Sequence, residues 1–145
     1  KFKFLKSPKF TFSIHKVAEQ FSGLDGFVHG GIIATLLDEV AGWTIVTNLR
    51  TAGLTMESNI KYNKPVPVET ELIILGQLID KTEDKKASAK IKSGIYLMDG
   101  TKLAEMTSYW YLPSINQLVK ISGKSMEELL KFREDLEQTI SKFIT

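Results

Sequence analysis

The sequence predicts an α+β domain in which a five-stranded antiparallel sheet wraps around one central helix, followed by a C-terminal amphipathic helix. Three observations carry this expectation. From Gly31 to about Asn48 no proline interrupts, and Ile33, Leu36, Leu37, Val40 and Thr44 recur at helical spacing. After Gly53 the pattern changes to strands, punctuated by Lys64-Pro65-Val66-Pro67, a charged turn and Asp99-Gly100. The 145 residues are one domain's worth. One apolar helix among five strands has an economical packing only inside the sheet, which sets this apart from a doubly wound α/β fold.

The elements follow in order. Phe10-Thr11-Phe12-Ser13-Ile14 alternates apolar with small polar residues and predicts a half-buried strand with its apolar side inward. A glycine-rich loop, 23–31, leads into the helix, whose Gly31, Ala34, Ala41 and Gly42 are small enough for close backbone approach. In the next strand Met56, Ser58, Ile60 and Tyr62 are expected on one face and Thr55, Glu57, Asn59 and Lys61 on the other. Leu72-Ile73-Ile74-Leu75, between Glu69 and Asp80, is apolar on both faces and predicts a central strand. A strand from Ala87 to Leu97 and another from about Lys102 to Leu112 flank Asp99-Gly100, which predicts a type I′ turn with positive φ at both positions. Ser125 and Glu128 form a capping box that opens a helix with Met126, Leu129, Leu130, Leu136, Ile140 and Phe143 as its stripe. Residues 1–113 are thus expected to form the main domain, and 114–145 a helical extension packed on it.

Composition excludes several kinds of chemistry. The chain has no cysteine, so disulfides, thiolate nucleophiles and zinc ribbons are ruled out. Only His15 and His29 offer imidazoles, which rules out a multi-histidine metal site; His15 is expected to be structural. A formal charge of +2 is too balanced for a nucleic-acid surface. No run approaches about 20 continuous apolar residues, so no membrane partner is expected. The opening Lys1-Phe2-Lys3-Phe4-Leu5-Lys6 lacks an apolar core of signal-peptide length, and the expected location is cytoplasmic.

Residues 23–55 carry the chemistry. His29-Gly30-Gly31 lies where the helix begins, and unpaired N–H groups there suit an oxyanion. Two glycines before a helix are also an ordinary turn. Asp38 sits inside the apolar helix, away from both ends, with Gly31, Ala34, Thr35, Ala41, Gly42 and Ile45 at helical spacing around it. A carboxylate there is costly unless it is paired or faces a wet cleft, and such carboxylates are often functional. Glu39 reads instead as a rim residue. Asp38 follows Gly30 by eight residues, roughly 12 Å along one helix at 1.5 Å per residue. One reacting carbonyl reaches about 3 Å to each group, so one chain cannot serve both. Two antiparallel copies could, which makes the active unit at least a dimer if these residues act together. Thr55 could orient a water or the carboxylate, although strands favour β-branched residues regardless.

Phe21-Ser-Gly-Leu-Asp-Gly-Phe-Val-His29-Gly30-Gly31-Ile-Ile-Ala-Thr-Leu-Leu-Asp38-Glu39 resembles the signature of hotdog-fold acyl-CoA thioesterases of the PaaI-like group. Thr55-Met-Glu-Ser-Asn-Ile-Lys-Tyr62-Asn-Lys-Pro65 is similar to that family's next strand, and the resemblance spans about residues 10–112. It implies a hotdog fold and a homodimer with two sites at its interface, with pairing into tetramers in many members. It implies catalytic roles for Asp38 as base or nucleophile, for the Gly30 N–H on the thioester carbonyl, for His29 in shaping the loop, and for Thr55 in assisting the carboxylate. Where some relatives carry an asparagine or glutamine six residues before the histidine, this chain has Gly23, so no orienting amide is expected there.

The function so implied is hydrolysis of an acyl-CoA thioester, with coenzyme A as part of the substrate and no separate cofactor or metal. Gly31, Gly23, Phe27, Met56 and Lys64 are the candidate substrate contacts, and Leu24 and Trp43 could also line an acyl pocket. Lys61, Lys90 and Lys92 join Lys64 as phosphate-contact candidates, although a solvated strand face explains any one of them. Two other readings compete. One is a non-catalytic acyl-CoA-binding or regulatory hotdog module. The other is a hydratase, for which His29 at a turn is a poor base.

Overall fold

The computed structural model describes residues 5–6, 10–83 and 86–141. In chain order the elements are β1 (Leu5–Lys6), β2 (Phe10–Lys16), a 3-10 turn at Glu19–Phe21, β3 (Ser22–Leu24), β4 (Phe27–Val28), α1 (Gly30–Leu49), β5 (Leu54–Tyr62), β6 (Glu71–Thr82), β7 (Ser88–Leu97), β8 (Lys102–Tyr111), α2 (Ile115–Ser122) and α3 (Met126–Ser141). The main sheet runs β1-β2-β6-β7-β8-β5, every pair antiparallel. Its five long strands are those the sequence predicts, with the two-residue β1 added at one edge. β6 lies between β2 and β7, as its two-sided apolar run requires.

The sheet wraps α1. Leu37, Val40, Ala41 and Ile45 are completely buried, and Leu72, Ile74, Ile91 and Ile95 meet them from the sheet. Each of these Leu, Ile and Val side chains contributes roughly 1.5–3 kcal/mol by leaving water. The closest backbone approach is set by a glycine of the sheet rather than the helix. A Cβ on Gly76 would strike the Thr44 hydroxyl and lie 3.0 Å from the Val40 carbonyl oxygen. Although α1 contains no long continuous apolar run, its mean hydropathy of 1.3 and 20-residue length would let it cross a membrane on length and composition alone. Its place inside the sheet accounts for that apolarity.

Four expectations need correction. In β2 the alternation holds but the faces are reversed: Thr11 and Ser13 are buried against α1, while Ile14 is 50% exposed on the outer face. Thr11 tolerates burial because its hydroxyl bonds the Thr47 hydroxyl at 2.9 Å. At the β7–β8 hairpin only Gly100 of the Asp-Gly pair has a positive φ, 89°. The Gly100 N–H donates to the Leu97 carbonyl and the Leu97 N–H to Thr101, which makes a three-residue loop with glycine at its left-handed position rather than a type I′ turn. Third, α2 is an additional helix. Its signal was the capping box Ser114-Ile-Asn-Gln117, in which both reciprocal bonds form, and Gly123 (φ 68°) ends it. Fourth, the α3 stripe is narrower than predicted. Ile140 is buried and Leu129 and Leu136 are half-buried, but Met126 and Leu130 are exposed; Phe143 lies outside the described residues. The Ser125–Glu128 capping box forms as predicted.

Candidate active site

The β3–β4 hairpin, turning at Gly26 (φ 80°), delivers the chain to His29, the N-cap of α1. His29 Nδ1 accepts the Gly31 N–H at 2.9 Å, so the neutral imidazole carries its proton on Nε2. The Ile32 and Ile33 N–H groups donate to the His29 carbonyl, and the His29 N–H donates to Phe21. That accounting leaves one first-turn donor. The Gly30 N–H has no hydrogen-bond partner among the described residues.

Around that donor is a cleft of about 410 Å³ lined by Leu24, Phe27, Gly30, Tyr62, Lys64 and Pro65, among others. Phe27 and Lys64, both candidate substrate contacts, line this cleft together with Gly30. Gly31 does not offer its N–H, because His29 uses it. Gly23 lies under the imidazole, where a Cβ would sit 3.0 Å from His29 Cα and 3.1 Å from its ring, so it shapes the loop sterically. Tyr62 was legible only through its spacing to Pro65. Its hydroxyl donates to the Gly30 carbonyl at 3.3 Å and its ring covers that glycine.

The second cluster lies farther along α1. Asp38 is half-buried, and its Oδ1 accepts from the Thr55 hydroxyl at 2.9 Å. Strict alternation would point Thr55 away from Ser58, Ile60 and Tyr62. Instead Thr55 pairs with Trp110, Glu57 with Tyr109 and Ser58 with Ser108, so Met56 is the extra residue of a β-bulge. The bulge inverts the alternation upstream of it and sets Thr55 on the face toward α1. Met56 is 59% exposed. Asp38 has no ion-pair partner among the described residues.

The fold thus gathers the predicted residues into two groups, Gly30 with Phe27 and Lys64, and Asp38 with Thr55. Asp38 does not line the Gly30 cleft. The remaining lysines are elsewhere: Lys61 and Lys92 share a cleft of about 370 Å³ with Tyr96 and Lys102, and Lys90 lies over the Tyr109 ring at 5.5 Å. Trp43 Nε1 donates to Glu39 along α1 at 3.0 Å. No three His, Asp or Glu side chains gather as a metal site among the described residues. His15 sits in β2 opposite Leu72, and burial holds its pKa below the ordinary 6.5.

A hypothetical thioesterase protein of Streptococcus pneumoniae TIGR4, crystallised with coenzyme A, superposes on this fold with a TM-score of 0.70 at 22% identity, covering 79% of this chain and 90% of that one. The sequence model of the thioesterase superfamily matches residues 25–83. This chain has the hotdog fold. The matched segment contains His29, Gly30, Gly31, Asp38 and Thr55 along with Phe27, Met56 and Lys64, but not Gly23. Zebrafish thioesterase superfamily member 2 has the same hotdog fold, with a TM-score of 0.69 at 23% identity over 78% of this chain and 82% of that one. Among curated proteins, the acyl-coenzyme A thioesterase THEM4 of Mus musculus is 35% identical over 81 residues, 56% of this chain and 34% of that protein. Acyl-coenzyme A thioesterase 13 of Mus musculus is 32% identical over 65 residues, 44% of this chain and 46% of that protein. The hotdog domain thus aligns with less than half the length of either relative.

Proposed function

We propose that this protein hydrolyses acyl-CoA thioesters to a free acid and coenzyme A, at a site shared by two antiparallel copies of α1. One observation carries the proposal. A single helix bears an unpartnered N–H at Gly30 and a hydroxyl-held carboxylate at Asp38, roughly 12 Å apart by helical rise. Each is half of a thioester-hydrolysing site, and a second copy running the other way supplies the missing half twice.

In this mechanism the Gly30 N–H of one copy donates to the thioester oxygen, aided by the positive end of α1. Asp38 of the other copy, oriented by Thr55, removes a proton from water as its oxygen attacks the thioester carbon. The tetrahedral oxyanion collapses, the C–S bond breaks, and the Asp38 carboxyl returns the proton to the departing thiolate. Phe27 and Leu24 contact the acyl group, and Lys64 the coenzyme A phosphates. The dimer forms through β5, the edge of the sheet opposite β1, whose Leu54, Met56 and Tyr62 are exposed; a nine-residue open edge invites such pairing. Further pairing into a tetramer and a cytoplasmic location belong to the same proposal. The activity named for the curated relatives, and the neighbour from Streptococcus mutans UA159 crystallised with acetyl CoA, support an acyl-CoA substrate.

The test is thiol release from short, long and aromatic acyl-CoAs, comparing the wild type with Asp38→Asn. The substitution keeps shape and removes the base, so turnover should fall by at least about 100-fold. Equal activity in the variant, or an inert wild type across the panel, overturns the proposal.

A further inference from the structure

A third cleft lies at the opposite end of α1 from Gly30. The last turns of α1 and the α2–α3 pair enclose about 510 Å³, with Val46, Leu49, Leu118, Leu129, Phe132 and Leu136 as its apolar wall. That volume is within the range of pockets for small ligands. Its lining contains neither Asp38, Thr55 nor any residue of the Gly30 cleft. Leu49 follows Asp38 by eleven residues, roughly 16 Å along the helix.

The polar groups of this cleft have one sign. Arg50, Lys124 and Arg133 line it, and no Asp or Glu does. Arg133 bonds Glu137 at 3.6 Å, whereas Arg50 Nη1 is buried without a hydrogen-bond partner among the described residues. A guanidinium cannot shed its proton, so a buried N–H left unmatched is costly. Arg50 also occupies the C-cap of α1 at φ 56°, where glycine or asparagine is the usual choice. Arg50 thus brings a cation, one of whose nitrogens is unpartnered, to an apolar cleft lined by no acidic side chain, a combination that suits an anion attached to an apolar body.

We propose that this cleft binds an aliphatic carboxylate, its chain along the apolar wall and its carboxylate on Arg50. A chain of this kind is also what thioester hydrolysis releases, yet the proposal stands on the cleft's own geometry and does not depend on that activity.

The probe is dodecanoate below its micelle concentration, titrated calorimetrically into the full chain, with dodecan-1-ol as the uncharged control. Arg50→Gly is the deciding variant, because glycine suits φ 56° and the helix cap survives while the cation is lost. Saturable dodecanoate binding is expected, weakened about tenfold or more by Arg50→Gly, with dodecan-1-ol binding weakly and equally to both proteins. Leu118→Trp should fill the cleft and abolish dodecanoate binding, and saturating coenzyme A should not displace it. Absence of saturable binding, equal affinity in Arg50→Gly, or displacement by coenzyme A would each overturn the assignment. The last result would place the acid in the Gly30 cleft instead. An Asp38→Asn protein that still binds dodecanoate separates this proposal from the fate of the thioesterase reading.

Discussion

Thr55 reaches Asp38 because one residue between it and Ser58 is out of register. The 2.9 Å bond depends on the bulge at Met56, which turns Thr55 from the outer face of β5 to the face that meets α1. A one-residue change of register flips every side chain beyond it, so a strand with this sequence and no bulge would point the hydroxyl into solvent. Two substitutions separate the bond from the bulge. Thr55→Val should lower kcat by roughly 10- to 100-fold with little effect on KM, since it removes a group that orients the base. Deleting Met56 removes the bulge but leaves Thr55 opposite Trp110 and two residues from Ser58, on the same inner face, so it should lower kcat less than Thr55→Val does. Steady-state kinetics on both, with far-ultraviolet circular dichroism to confirm the sheet, checks this; an unchanged kcat in Thr55→Val removes Thr55 from the mechanism.

Gly30 occupies the first position of α1, where proline is well tolerated. His29 before it has φ −59° and ψ 137°, which a following proline accepts. Gly30→Pro therefore deletes the one unpartnered N–H and leaves the helix start intact. If each site takes Gly30 from one copy and Asp38 from the other, Gly30→Pro and Asp38→Asn should each be inactive alone. Mixed after subunit exchange, they should recover about a quarter of wild-type activity, because half the dimers are hybrid and each hybrid has one intact site of two. No recovery under conditions where hybrids form would show that both groups act within one chain.

His29 fixes the start of α1 through its Nδ1 bond to Gly31. His29→Ala should destabilise the fold by about 0.5–2 kcal/mol, the range for loss of an N-cap. For a domain of this size that is a fall in Tm of roughly 2–8 °C. His29→Asn, whose side-chain oxygen can accept the same N–H, should recover most of it. Differential scanning calorimetry reads both, and a Tm for His29→Ala equal to wild type would mean that the cap bond contributes nothing.

His15 titrates below its ordinary 6.5 because burial disfavours the charged imidazole. With the folded pKa depressed, the unfolded chain binds the proton more readily. Stability should be undiminished above the ordinary value and decline as the pH falls from about 6.5 through the folded pKa. His15→Gln should flatten that part of the curve. Urea midpoints measured from pH 7.5 to 5 for both proteins provide the comparison, and parallel curves would exclude His15 as the source.

Much of this fold is written in local pattern. The 3.6-residue repeat of Ile33, Leu37, Val40 and Thr44 places α1 in the core, the two-sided apolar run at Leu72–Leu75 places β6 at the centre of the sheet, and Ser125 with Glu128 starts α3. These features are set by periodicity and by caps that bond within four residues, so neighbours in sequence suffice to specify them. The spacing of Gly30 and Asp38 likewise fixes that one helix carries both groups too far apart to share one carbonyl. Tertiary structure decided the rest. Alternation gives the two faces of β2 but not which is inward, and a buried Thr11 is tolerated only because Thr47 of α1 lies opposite its hydroxyl. The bulge at Met56 exists only as a mismatch with β8, and the guanidinium of Arg50 gains its meaning only where α2 and α3 close over the end of α1. Each depends on a partner far away in the chain, so no local pattern could encode it.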